Sequence, residues 1–222
     1  MNGPVLVAFD GTPAAEHALS WAAAAAVRRG CELVVARTTW WPITLEPALP
    51  AVCLVPEARV DHAVEQAVAA WPALRVSGAE SGGTAELLAI GARLDSSLIV
   101  APACAQVPWR ALLRGVGRPL AFAGSRCGPV VSEMRSRQAH LGTLALAFDL
   151  ARSGGADLHV LHTAAIRHRA CSADLAGFAV SALADWLVSC PDVAITYRLA
   201  TSSRIQALKH SVRSGGVLLP AP

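Results

Sequence analysis

Four consecutive residues carry the first chemistry in this chain: Asp10, Gly11, Thr12 and Pro13 follow directly on the apolar run VLVAF. A carboxylate released from a strand into such a turn has two possible uses. It can accept hydrogen bonds from a ligand's hydroxyls, or it can serve the free N–H groups that open the next helix. A second polar set, Arg110, Arg114 and Arg118, recurs at every fourth residue. On one helical face these arginines could grip phosphate, or they could form an ordinary solvated basic face, which is the expectation here. His159, His162 and His168 lie together in HVLHTAAIRH. On a strand, His159 and His162 point to opposite faces, so shared metal ligation is not expected. Six cysteines (Cys31, Cys53, Cys104, Cys127, Cys171 and Cys190) contain no C-x-x-C pair and read as reduced, mostly buried thiols. The chain has no G-x-S-x-G, no G-x-x-x-x-G-K-S/T and no H-E-x-x-H. No nucleophile–base pair is recognisable, and no enzyme activity is expected.

The 222 residues suffice for one large domain or two small ones. The net charge is only +3, almost all of the cationic charge is arginine, and Lys209 is the sole lysine. Without a long basic block, nucleic acid is not an expected partner. The apolar fraction of 54% owes much to alanine, and no uninterrupted apolar stretch has spanning length, so no membrane association is expected. MNGPVLVAFDG has no basic leader before its strand pattern, which points to a cytoplasmic location.

Strand-length apolar runs alternate with helical patterns. PVLVAF is continuous in the manner of a strand covered on both faces, and Thr12 with Pro13 starts a helix that ends at Arg28, Arg29 and Gly30. CELVVART is a second strand. The proline-broken loop TWWPITLEPALPAVCLVP precedes a helix in EARVDHAVEQAVAAW and a third strand in ALRVSGAE. GGTAELLAIGARLD is a helix and SSLIVAP a fourth strand; WRALLRGVGRPLAFAG is helical over part of its length, and GPVVSEM is expected as the fifth strand. This alternation implies right-handed crossovers and a parallel sheet.

The chain then echoes itself. An offset of 125 residues lays RGCELVVART on GGADLHVLHT and Pro4–Val5 on Pro129–Val130. A helix in ADLAGFAVSALADWLVS, a strand in VAITYRLA, a helix in RIQALKHSVRS and a strand in GVLLP complete the echo. We therefore expect domains at 1–133 and 134–222, the second shortened after its fourth strand, with PVVSEM shared between the two.

The segments VLVAFDGTPAAEHALSWAAAAAVRRGCELVVART, GGTAELLAIGARLDSSLIVA and LLRGVGRP…CGPVV resemble, in order and spacing, the universal stress protein family in its tandem form. The resemblance implies a five-stranded parallel sheet ordered 3-2-1-4-5 with helices on both faces, and an adenine-nucleotide site in some members. It also implies dimers formed through the fifth strand. In ATP-binding members an aspartate after strand 1 meets the nucleoside and backbone groups after strand 2 meet adenine. Asp10 and Thr38 fit those places. Phosphate is held there by G-x-x-G-x9-G-S/T after strand 4, because only glycine lets backbone N–H groups approach so closely.

Here that pattern falls on Ala101, Cys104, Arg114 and Gly115, and a shift by one recovers only Gly115 as a glycine. Pro102 and Pro108 remove further N–H donors. In the second repeat Arg135 stands in the place of Asp10. The candidate binding residues are thus Asp10, Gly11, Thr38, Ala101 and Gly115. The expected function is a regulatory or stress-response module with lost or weakened ATP binding, no required cofactor, a homodimeric state and a possible protein partner. The alternatives are an adenine-nucleotide binder (ATP, AMP or adenosine) using Asp10 and Thr38, and a small hydrolase with the same strand order.

Overall fold

The computed structural model describes residues 3–38, 60–104, 107–115, 117–124, 128–134, 141–163, most of 181–200, 203–213 and 216–220. The chain forms two compact units, Met1–Ser125 and Arg126–Pro222. In the first, β1 (Val5–Phe9), α1 (Pro13–Arg29), β2 (Leu33–Thr38), α2 (Val60–Ala70) and β3 (Val76–Ser81) are followed by α3 (Thr84–Arg93), β4 (Leu98–Pro102), α4 (Trp109–Gly115) and β5 (Leu120–Ala123). The strands are parallel in the order β3-β2-β1-β4-β5.

Every residue of β1 and of β4 is buried, as their unbroken apolar sequences require of strands covered on both faces. The rows of the sheet show how. Leu6 and Ile99 share one row and contact α3 at Gly91, where a Cβ would stand only 2.7 Å from Ile99 Cδ1. Gly78 lies in the adjacent row and faces Val60 of α2. Successive rows face opposite ways, so α2 and α3 cover opposite faces.

The start and stop of α1 are local. Thr12 Oγ1 accepts the Ala15 N–H at 3.3 Å, Pro13 occupies the first turn, and Gly30 ends the helix in the left-handed region at φ 61°. The buried stripe is alanine with a single leucine (Ala15, Ala18, Leu19, Ala22, Ala23, Ala25 and Ala26), which lets the helix lie close to the strands.

One strand is not where the sequence pattern put it. The fifth strand is Leu120–Ala123, paired with β4 from Ile99↔Leu120 to Pro102↔Ala123, and not GPVVSEM. Helix α4 stops at Gly115, Pro119 cannot continue it, and the four buried residues LAFA are strand. Val130–Met134 instead opens the second unit, so no strand is shared.

The second unit contains β6 (Val130–Met134), α5 (Leu141–Gly154), β7 (Leu158–His162), β8 (Ile195–Leu199), α6 (Arg204–Arg213) and β9 (Val217–Leu219). Its parallel order, β9-β6-β7-β8, repeats the arrangement of β4, β1, β2 and β3. The expected helix over 173–189 is helical where described, at Leu183, Ala184, Trp186 and Val188, with Trp186 stacked on Phe148 at 4.8 Å. The expected loop after β2 and Arg135 lie outside the described residues. Among the described residues, no helix is long and apolar enough to cross a membrane.

Candidate functional site at the strand switch point

Strands β1 and β4 run side by side only as far as Val7↔Val100. Beyond that point β1 stays paired with β2 to Phe9↔Arg37, while β4 stays paired with β5 to Pro102↔Ala123. The ladder ends here for a chemical reason. Ile99 and Ala103 donate their N–H groups toward β5, to Pro119 O and Ala123 O, both at 2.9 Å. By alternation position 102 would donate toward β1, and proline has no N–H to give. A crevice therefore opens beyond the carboxyl ends of β1 and β4, where the winding direction of the sheet reverses.

Asp10, Gly11, Thr38 and Ala101 all stand at this carboxyl end. Gly11 has φ 75°, a conformation that lets the chain turn from strand to helix within three residues. Asp10 Oδ1 accepts from Thr12 N at 3.0 Å and from Thr12 Oγ1 at 2.6 Å. Its Oδ2 has no hydrogen-bond partner among the described residues and is the oxygen a ligand hydroxyl could reach. Thr38 is buried, and its hydroxyl donates to Ala36 O at 3.2 Å, so its side chain is turned back on its own strand. Ala101 is fully buried within β4, which continues to Pro102. Gly115 is elsewhere: it closes α4, where a Cβ would stand 2.6 Å from Leu88 Cδ1 of α3.

After β4 the chain closes on itself. Trp109 is buried, stacks on Phe122 of β5 at 3.9 Å and 9°, and donates its indole N–H to Cys104 O at 3.3 Å. Its backbone N–H is committed to Val107 O at 2.8 Å, and that of Ala103 to Ala123 O. Sequence reasoning passed over Trp109; its position directly after Pro108 was the available signal. The three arginines do not share a helical face. Arg110 and Arg114 are exposed on α4, whereas Arg118 lies past the helix end and pairs with Asp95 at 2.5 Å.

Among the described residues no group of three or more His, Cys, Asp or Glu could hold a metal ion, and His168 lies outside them. His162 Nδ1 lies 2.7 Å from Tyr197 Oη, and its buried Nε2 has no partner among the described residues. Burial lowers the His162 pKa. His159 is lowered too, first by burial and then by the Arg198 charge. Among the described cysteines, Cys31 and Cys190 are free thiols.

An open, doubly wound parallel sheet with a carboxylate at its switch point defines a class of α/β proteins whose ligands bind beyond the strand ends. Comparison narrows the class. Residues 1–103 match the universal stress protein family model. A universal stress protein from Archaeoglobus fulgidus DSM 4304 aligns over 98% of this chain and 97% of its own, with 10% identity and a TM-score of 0.54, a likeness of fold. A family member from Burkholderia pseudomallei aligns over 53% of this chain and 92% of its own at 25% identity and a TM-score of 0.39. A universal stress protein solved in complex with cAMP aligns over 55% and 97% at 17% identity and a TM-score of 0.41, too slight a likeness to carry its ligand across. No curated protein matches the sequence significantly.

Proposed function

We propose that this protein is a non-catalytic regulatory module of the universal stress protein type whose first unit has weakened or lost ATP binding. One observation carries the reading: the backbone from the end of β4 onward, where a phosphate cradle needs free N–H groups, holds Pro102, Pro108 and the buried Trp109. Two of those positions have no donor, and the N–H groups of Ala103 and Trp109 are already bonded within the protein. The nucleoside half of the crevice keeps its features. Asp10 Oδ2 has no hydrogen-bond partner among the described residues and is open to a nucleoside hydroxyl, which favours adenosine or AMP over ATP as the compound this site would still accept. Hydrolysis is not part of the proposal.

Calorimetric titration with Mg-ATP, AMP and adenosine tests it. Mg-ATP is expected to give no micromolar affinity, and micromolar Mg-ATP binding overturns the loss of ATP. Thermal stabilisation by adenosine, abolished in Asp10→Ala, supports the residual nucleoside site; no stabilisation of the wild type by any adenine compound removes it. We further propose a homodimer, because β3 and β8 end their sheets and present unpaired backbone groups.

A further inference from the structure

The second unit has its own switch point, built to the same plan. Strands β6 and β9 are paired only from Val130↔Val217 to Ser132↔Leu219, while β6 and β7 continue to Met134↔His162. The first residue of β6 past the point of separation is Glu133. Its counterpart in the first unit, one residue past Val7↔Val100, is Ala8. Just past the point of separation stands a buried methyl group in one unit and, in the other, a carboxylate with no exposed surface.

That carboxylate is met by groups from two other elements. Arg204, the first residue of α6, forms a two-pronged bond with it, Nε to Oε1 at 2.7 Å and Nη2 to Oε2 at 2.8 Å. Thr163, just past the end of β7, donates its hydroxyl to Oε1. Thr163 is itself held by its N–H on Met134 O at 3.0 Å. Arg204 opens a helix, where the dipole disfavours a cation, so helix electrostatics does not explain its position; the planar match to Glu133 does. A buried carboxylate without its cation would be strongly unfavourable, so Glu133 and Arg204 require each other.

We infer that the crevice of the second unit is self-filled: Arg204 is a tethered guanidinium ligand of Glu133 and Thr163, and it shuts this site to outside small molecules. The crevice floor is a guanidinium-recognition site whose occupant the chain supplies. Any nucleotide taken up by the protein then goes to the first unit alone. The inference is independent of whether the first unit binds one.

Chemical rescue tests it on the full chain. Arg204→Ala should lower Tm by at least about 10 °C, since it removes a two-pronged ion pair from a buried carboxylate. Millimolar methylguanidinium should recover part of that loss, while methylammonium at equal ionic strength should not. Arg204→Ala combined with Glu133→Gln should show no rescue. An Arg204→Ala protein as stable as the wild type, or one rescued equally by methylammonium, overturns the proposal. Should Arg204→Ala not fold, nitrogen-15 NMR of the wild type decides. One arginine Nε–H should exchange slowly with solvent and be missing in Arg204→Lys. If every arginine Nε–H exchanges at the rate of an exposed side chain, Arg204 is not held by Glu133.

Discussion

Asp10 commits one oxygen of its carboxylate: Oδ1 holds Thr12 and so fixes the turn into α1, while Oδ2 has no hydrogen-bond partner among the described residues. The local half of this was readable, because a helix cap depends on residues two or three positions apart. The behaviour of His162 was not readable. The sequence shows a histidine on a strand, and only folding brings Tyr197 to its Nδ1 and leaves its Nε2 buried without an acceptor among the described residues. Burial disfavours the charged imidazolium, so the folded pKa lies below the unfolded value of about 6.5. The unfolded chain then binds the proton more readily. His162 favours folding fully above the unfolded pKa, and that contribution is lost as pH falls through it toward the folded pKa. His159 acts in the same direction, since its pKa is also lowered. Thermal unfolding should therefore show a lower Tm at about pH 5 than at about pH 8. His162→Gln should narrow that difference, and an unchanged difference would show that His162 does not titrate between the two states.

Among the elements, α4 and β5 were the least legible. A run such as WRALLRGVGRPLAFAG carries helical spacing and apolar content together, and periodicity alone does not divide it. Tertiary contact does: LAFA becomes a strand because β4 offers it an edge, and Trp109 becomes the anchor of α4 because Phe122 lies beneath it. Trp109 thus joins the fold of this segment to the closure of the crevice. Trp109→Ala is expected to cost about 3–5 kcal/mol by urea denaturation, the usual scale for removing a buried aromatic side chain. A loss below about 1 kcal/mol would mean that the stack contributes little beyond exposed packing.

For the whole molecule, the alternation of strands and helices predicted the parallel sheet, and the echo at an offset of 125 residues predicted a second unit of the same order. Light scattering at tens of micromolar tests the proposed homodimer; a monomeric mass counts against pairing through the open sheet edges. What the sequence alone determined is whatever depends on neighbours along the chain: the buried parallel strands, the capped start of α1, the order of elements, and Asp10 at a strand end. Tertiary structure decided which partners meet across distance. Glu133 and Arg204 stand 71 residues apart and show no local signal of pairing, although the charged residue inside the apolar run PVVSEM was visible. Trp109 and Phe122 likewise meet only because β5 pairs beside β4. Strand order brings such groups together, and a buried charge or ring holds its place only when its partner arrives from another element.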